Sequence, residues 1–141
     1  ADATCALWEG DWLHTGDVGH IDAVGSLMIT DRMRDVIKSG GEWVSSLELE
    51  SLASTIDGVA EVAAIGIQDE KWGERPLLLI VLRDGAEETV IRDRIALAAR
   101  AAVENGDLSK WAVPEQVHFV TTIAKTSVGK IDKKRLRAEL A

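Results

Sequence analysis

The apolar positions of this chain fall into short blocks whose spacing predicts alternating strands and helices. Residues 62–67 and 77–82 are continuous apolar runs of strand length, which is typical of strands that helices cover on at least one face. A segment rich in turn-forming residues, 69–76, separates the two runs. Residues 117–120, which follow Pro114, are expected to form a third short strand.

Three other segments have the pattern of amphipathic helices. Ser45 followed by Glu48 has the form of a capping box and predicts the start of the first helix, which is expected to end near Gly58. Asp132 is expected to cap the last helix. The predicted core positions are Leu49, Leu52, Ala53 and Ile56 in the first helix, Ile91, Ile95, Ala98, Ala99 and Ala102 in the second, which Asn105 and Gly106 close, and Ile131, Leu136 and Leu140 around the last.

The front of the chain is built differently. Between residues 10 and 31 short apolar patches alternate with turn residues, which predicts a β-hairpin or meander. A charged bridge, 32–37, then leads to Gly40 and Gly41, whose freedom at positive φ permits a tight turn between two short strands. The pattern as a whole predicts an α+β fold, a small mixed β-sheet packed with about three helices plus β-hairpins.

The charged bridge also suggests a domain boundary. Residues 1–33 are too few to hold a core of their own, so they are expected to be the tail end of a larger N-terminal domain. Residues 34–141 then form a second domain.

Composition restricts the classes of partner. The 141 residues include 24 acidic and 16 basic side chains, a formal net charge of -8, which disfavours attraction of the whole molecule to nucleic acid or anionic membrane. No apolar run approaches the roughly 20 residues of a membrane-spanning helix, so no transmembrane segment is expected. One cysteine, Cys5, allows no internal disulfide, and a cytoplasmic location is the expectation.

The loop of residues 124–130 presents an ammonium group, Lys130. A nucleotide-binding P-loop would need Gly in place of Ala124 and Ser or Thr in place of Ile131, so that interpretation is rejected. Lys130 can still meet a phosphate or carboxylate as a point charge, or be a solvated lysine before a basic helix. That helix carries Lys133, Lys134, Arg135 and Arg137, which we interpret as a solvated basic face because no aromatic residues are interleaved with them.

A second candidate group is the carboxylate of Asp17, in the turn Thr15-Gly16-Asp17. A carboxylate held there can accept two hydrogen bonds from a ribose diol, or it can satisfy its own backbone. The three histidines, at positions 14, 20 and 118, lack the spacing of metal ligands, so no metal site is predicted.

Three segments taken together, 13–19, 31–48 and 124–130, resemble the C-terminal part of the adenylate-forming superfamily, which contains acyl-CoA synthetases, adenylation domains of peptide synthetases and luciferases. The likeness covers essentially the whole chain. Residues 37–46, with Lys110, Trp111 and Pro114, look most like the medium- and long-chain fatty-acyl-CoA synthetases. The resemblance implies an AMP-forming acid–thiol ligase that uses ATP, Mg²⁺, CoA and a fatty acid or related carboxylate.

The resemblance also implies roles for single residues. Lys130 matches the catalytic lysine of the family, and Ala124 stands where many relatives have proline. Arg34 falls at the hinge about which relatives rotate this domain, close to the adenylate. The other implied roles are contact with ATP or the adenylate by Asp17, Arg32, Lys38 and Trp43, and lining of the CoA tunnel by Gly40 and Gly41.

The implied partner is the protein's own N-terminal adenylation domain. It would supply the nucleotide loop, the adenine pocket and the acyl tunnel, so the fragment alone is expected to be inactive. Two alternatives stay open at this point. One is an adenylation domain that loads a carrier-protein pantetheine, and the other is a non-catalytic α+β interaction module.

Overall fold

The computed structural model describes residues 2–140. Its helices are α1 (Asp2–Leu7), α2 (Ser46–Ser54), α3 (Glu88–Glu104) and α4 (Lys133–Leu140), and a short 3₁₀ helix spans Lys110–Ala112. Its strands are β1 (Trp8–Glu9), β2 (Trp12–Leu13), β3 (Asp17–Ile21), β4 (Leu27–Arg32), β5 (Ile37–Ser39), β6 (Glu42–Val44), β7 (Val59–Asp69), β8 (Gly73–Leu82) and β9 (Gln116–Phe119).

A five-stranded sheet forms the centre of the molecule. Its order is β6-β5-β8-β7, with β9 paired to β8 as well. The strands β7 and β8 form a long antiparallel hairpin, whereas β9 runs parallel to β8 and pairs residues 77–80 with residues 116–119. The sheet is therefore mixed, and the predicted α+β class is confirmed.

Both faces of the β7–β8 hairpin are buried. Because successive strand residues point to opposite faces, Leu78 and Ile80 pack with α2 and α3, while Leu77 and Leu79 pack with Leu136 of α4. Burial on both faces explains why these strands are continuous apolar runs in the sequence.

The predicted helix starts are confirmed. The Ser45 hydroxyl accepts a hydrogen bond from the Glu48 amide at 3.2 Å, and α2 begins at the next residue. The Asp132 carboxylate accepts from the Arg135 amide at 3.0 Å and caps α4 in the same way. Helix α2 ends at Ser54, earlier than the expected Gly58.

Two details differ from the expectation. The turn between the long strands is confined to residues 70–72, because Pro76 pairs with Gly66 inside β8. Proline is compatible with a strand where one neighbour is missing, and β9 begins its pairing only at Leu77. The short helix α1 was not predicted, since six residues are too few to show a helical period.

The core predicts which leucines matter for stability. Leu78 is fully buried, whereas Leu97 on α3 is 71% exposed. We expect Leu78→Ala to lower the free energy of unfolding of the chain by about 2–5 kcal/mol through lost contacts and a cavity. The matched substitution Leu97→Ala should change the free energy of unfolding by no more than about 0.5 kcal/mol. Urea denaturation measures both values, and equal midpoints for the two variants would contradict the assigned core.

Candidate functional site

Lys130 lies at the end of a closed loop. An antiparallel bridge between Lys125 and Ile131 forms the base of the loop. Inside it, the Thr126 amide donates to the Lys130 carbonyl at 2.7 Å, and the Gly129 amide donates to the Thr126 carbonyl at 3.0 Å. Gly129 has φ +82°, which only glycine adopts readily. The backbone of the loop is therefore defined by its own hydrogen bonds.

The loop is also anchored to the sheet, while the Lys130 side chain is not. The Lys125 ammonium lies 2.8 Å from the Glu61 carboxylate of β7, and Ile131 packs against the cluster that contains Leu136. Lys130 itself is exposed, and none of the ion pairs found within residues 2–140 includes it. A fixed loop thus presents a cation whose side chain is free to meet a ligand.

The structure brings Asp17 and Arg32 together. They are direct partners in the β3–β4 register, and the Arg32 Nε lies 3.6 Å from the Asp17 Oδ1. The hydrogen bond that closes this turn involves the Thr15 hydroxyl, which accepts from the Asp17 amide at 3.3 Å. The Asp17 carboxylate is half-buried beside the guanidinium and faces a partly open surface.

Lys38 and Trp43 also face each other. They are partners in the β5–β6 register, and the ammonium lies 6.0 Å from the centre of the indole ring, within the range of a cation–π contact. Both side chains are exposed. Within the described residues, no hydrogen bond or ion pair joins this pair to Lys130 or to Asp17.

The two glycines of the β5–β6 turn have different surroundings. Both have positive φ, +61° at Gly40 and +82° at Gly41. A Cβ at position 40 would lie 2.7 Å from the Trp111 ring, whereas a Cβ at position 41 would have no atom within 4 Å. Trp111 in turn stacks at a tilt on Trp72, with ring centres 4.7 Å apart. The family resemblance implies one role for both glycines, lining of the CoA tunnel, but in the structure only Gly40 lies against an aromatic ring.

Arg34 lies in an exposed turn that connects β4 to β5. The amides of Asp35 and Val36 both donate to the Arg32 carbonyl at 2.9 Å, which closes the turn. The Asp35 carboxylate is paired with Arg137 of α4 at 3.1 Å. The Arg34 side chain itself points into solvent.

The expectation of a solvated basic face on α4 was wrong for Lys133. Its side chain is only 9% exposed and lies 2.8 Å from the Glu50 carboxylate. A buried ammonium requires a charged partner, and no local pattern indicates that Glu50 of α2 would supply one. Lys134 and Arg135 are exposed as expected, whereas Arg137 is half-buried against Asp35. The hydrogen bond between Arg135 and Glu139 raises the pKa of the arginine.

Other features of the surface do not coincide with these residues. A depression of about 530 Å³ lies at the start of α3, lined among others by Arg83, Glu87 and Arg94, and it includes no predicted site residue. In the described part of the chain, no three His, Cys, Asp or Glu side chains are grouped as metal ligands. None of the helices described there has the length and apolar character needed to cross a membrane.

Comparison with known protein families shows to which family this chain belongs. Residues 48–130 match the family described as the AMP-binding enzyme C-terminal domain. The chain belongs to this family. Lys130 is the last residue of the match, whereas Asp17, Arg32, Arg34, Lys38 and Trp43 precede it.

Relatives of this AMP-binding C-terminal domain are acyl-CoA ligases. The chain is 40% identical over 133 residues to 3-methylmercaptopropionyl-CoA ligase of Ruegeria lacuscaerulensis, covering 94% of the chain and 23% of the relative. It is 40% identical over 137 residues to the medium-chain-fatty-acid–CoA ligase of Ectopseudomonas oleovorans, covering 97% of the chain and 24% of the relative. The chain thus spans about a quarter of the length of these curated relatives.

A solved structure extends the likeness to the fold. A fatty acyl CoA synthetase from Mycobacterium tuberculosis matches with 37% identity and a TM-score of 0.66, over 98% of this chain and 26% of that one. The match includes the front hairpins as well as the sheet, since nearly the whole chain is covered.

The packing of the β5–β6 turn in this AMP-binding C-terminal domain can be tested by substituting its two glycines. Gly40→Ala combines a strained φ with a collision against Trp111, whereas Gly41→Ala has only the strain. We expect Gly40→Ala to be the more destabilising by about 1–3 kcal/mol, the usual range for overpacking. Thermal or urea unfolding of the chain measures the difference.

A second background isolates the collision. With Trp111→Ala present, Gly40→Ala should be no more destabilising than Gly41→Ala, because the colliding ring is gone. Equal effects of the two alanines in the unmodified chain would show that Trp111 does not restrict position 40.

Proposed function

We propose that this chain is the C-terminal portion of an AMP-forming acid–thiol ligase that converts a fatty acid or related carboxylate to its CoA thioester. The observation that supports this most is the exposed Lys130 ammonium on a loop that is itself fixed, in a chain whose relatives are acyl-CoA ligases. The location proposed for this activity is the cytoplasm, consistent with a single, exposed cysteine.

The first half-reaction brings two anions together. A carboxylate oxygen of the substrate attacks the α-phosphorus of ATP, the bond to the bridging oxygen of the β-phosphate breaks, and pyrophosphate leaves with the electron pair. Mg²⁺ enters this step with ATP, as part of the substrate. The Lys130 ammonium reduces the repulsion between the two anions and stabilises the negative charge that develops on the phosphoryl oxygens.

The Asp17–Arg32 pair is proposed to hold the ribose. The Asp17 carboxylate accepts hydrogen bonds from both ribose hydroxyls, a geometry that a carboxylate on a rigid turn provides. Arg32, 3.6 Å away, orients that carboxylate and leaves donors for the phosphate region. Lys38 and Trp43 are proposed to contact the adenylate from the β5–β6 hairpin.

The second half-reaction replaces AMP by a thiol. The CoA thiol gives its proton to water, its sulfur attacks the acyl carbonyl, and AMP leaves with the electrons of the broken anhydride bond. We propose that residues 34–141 rotate about Arg34, relative to residues 1–33, between the two steps. The rotation withdraws Lys130 from the acyl-adenylate and brings the Gly40-Gly41 turn towards it. The open space at Gly41 suits close passage of a thin thiol arm, whereas the Gly40 side is filled by Trp111.

The front segment is proposed to join the protein's own N-terminal adenylation domain. Large apolar side chains are unusually exposed there: Leu7, Trp8, Trp12, Leu13, Ile21, Val24, Leu27, Met28, Ile29 and Met33. Such a surface marks an interface, and the relatives have about three quarters of their length outside the matched region. The chain by itself is then expected to lack activity.

The names of the relatives favour free CoA over a carrier-protein pantetheine as the acceptor. A non-catalytic interaction module would give no ATP-dependent activity in the full-length protein, so the experiments below also test that alternative.

Lys130→Ala in the full-length protein tests the catalytic assignment. We expect carboxylate-dependent exchange between ATP and pyrophosphate to fall about 10²–10³-fold, because an electrostatic contact to the transition state is lost. Thioester formation from supplied acyl-adenylate and CoA should change far less. Lys134→Ala, an exposed lysine of α4, is the matched control and should leave both rates unchanged. Equal loss of both half-reactions in Lys130→Ala would refute a role confined to adenylation.

Arg34→Pro tests the hinge. Proline fixes φ near -65° and restricts the preceding residue, so rotation at this point becomes difficult. The rate of the overall reaction, from carboxylate to acyl-CoA, should be at least about tenfold lower in Arg34→Pro than in Arg34→Ala. The alanine variant removes the charge but leaves the backbone free. Steady-state acyl-CoA formation measures both variants. Identical rates for the two would place the hinge elsewhere.

A further inference from the structure

A buried polar network lies next to the proposed hinge, and none of the roles above uses it. Asp31 of β4 is only 1% exposed. One oxygen of its carboxylate accepts from the Arg32 amide at 2.7 Å. The other accepts from both the amide and the hydroxyl of Ser46, at 2.7 and 2.8 Å. All three donors satisfy a buried charge that would otherwise be costly.

The network continues from Ser46 into α4. The Lys133 ammonium donates to the Ser46 hydroxyl at 2.7 Å and lies 2.8 Å from Glu50. Glu50 also accepts from the Ala64 amide of β7 at 3.0 Å. Lys133 and Glu50 are 9% and 16% exposed, so the two carboxylates are linked through one shared hydroxyl and one ammonium away from bulk water.

Both ends of this network are adjacent to residues of the proposed site. Asp31 binds the backbone of Arg32, the residue that pairs with Asp17. Lys133 begins α4, on the segment that continues directly from the Lys130 loop. The network therefore connects the strand of the ribose pair with the helix behind the catalytic loop.

The contacts divide into two groups when placed against the hinge. Lys133, Glu50 and Ser46 all follow Arg34, and their mutual contacts are unaffected by rotation at that residue. Asp31 precedes Arg34, so rotation would separate its carboxylate from Ser46. The contact of the Ser45 hydroxyl with the Thr30 carbonyl, at 2.7 Å, crosses the hinge in the same way.

We propose that Asp31 is a positioning residue, which latches the front hairpin to Ser46 in one of the two domain arrangements and releases it in the other. The inference rests on the proposed function, because it needs two arrangements. The Lys133–Glu50 pair keeps Ser46 oriented in both of them, while the Asp31 carboxylate and the Thr30 carbonyl lose their partners across the hinge. Asp31 thus acts on the population of the arrangements, and Lys133 and Glu50 act on the stability of the fold.

Asp31→Asn in the full-length protein tests this division of roles. The amide keeps the shape but offers one acceptor oxygen where three donors now converge. We expect the ratio of the two half-reaction rates, ATP–pyrophosphate exchange against thioester formation from supplied acyl-adenylate, to change about tenfold or more. The half-reaction that uses the latched arrangement slows, and the other is maintained or accelerated.

Asp22→Asn is the matched control. Asp22 is on the same hairpin, but among residues 2–140 its carboxylate accepts only from the amides of Val24 and Ser26 in its own turn. The ratio should be unchanged in this variant. If Asp31→Asn does not fold, Asp31→Glu, which keeps the charge and displaces it by one methylene, should shift the ratio in the same direction by a smaller factor.

The outcomes separate the latch from the function on which it rests. Equal changes in both half-reactions, or no change in either, would overturn the latch while leaving the ligase assignment intact. Absence of both half-reactions in the unmodified protein would overturn the proposed function and the latch with it. A changed ratio in Lys133→Met equal to that of Asp31→Asn would also contradict the assignment, because Lys133 should affect stability in both arrangements alike.

Discussion

The antiparallel pairing of β7 with β8 is the contact on which the other elements depend. It is the longest ladder in the sheet, and side chains from its two faces enter both hydrophobic clusters. Helices α2 and α3 pack on one face of this hairpin and α4 on the other. The β5–β6 turn is attached to it because β5 pairs with β8, and the Lys130 loop is attached through the contact of Lys125 with Glu61 of β7. Loss of burial on either face would displace a part of the candidate site.

The candidate site combines rigid backbone with free charge. The Lys130 loop is closed by its own hydrogen bonds and anchored through Lys125 to Glu61, yet the Lys130 ammonium is exposed. Asp17 and Arg32 show a similar combination, because their strand register is fixed while the Arg32 side chain is exposed and the Asp17 carboxylate is half-buried. Such an arrangement places charge accurately and leaves it available to a ligand, which is the requirement for electrostatic stabilisation of a transition state.

The front hairpins and the remainder of the chain differ in how they expose apolar side chains. The front hairpins expose large apolar side chains such as Trp12 and Ile21, and the remainder of the chain buries most of its own. The two parts meet through polar contacts, Asp31 with Ser46 and Thr30 with Ser45. Directional hydrogen bonds can be made and broken as units, whereas a continuous apolar interface would resist separation, so these polar contacts suit the domain rotation proposed above.

The sequence by itself determined the elements that depend on local pattern. The continuous runs of β7 and β8, the Ser45 and Asp132 caps and the glycine turn of residues 40–41 all follow from periodicity and backbone chemistry within a few residues. The family was also indicated by short motifs such as Thr15-Gly16-Asp17. Tertiary structure alone decided which side chains would meet across the chain. Burial of Lys133 beside Glu50 and contact of Gly40 with Trp111 join residues far apart in sequence, and no local pattern encodes such distances.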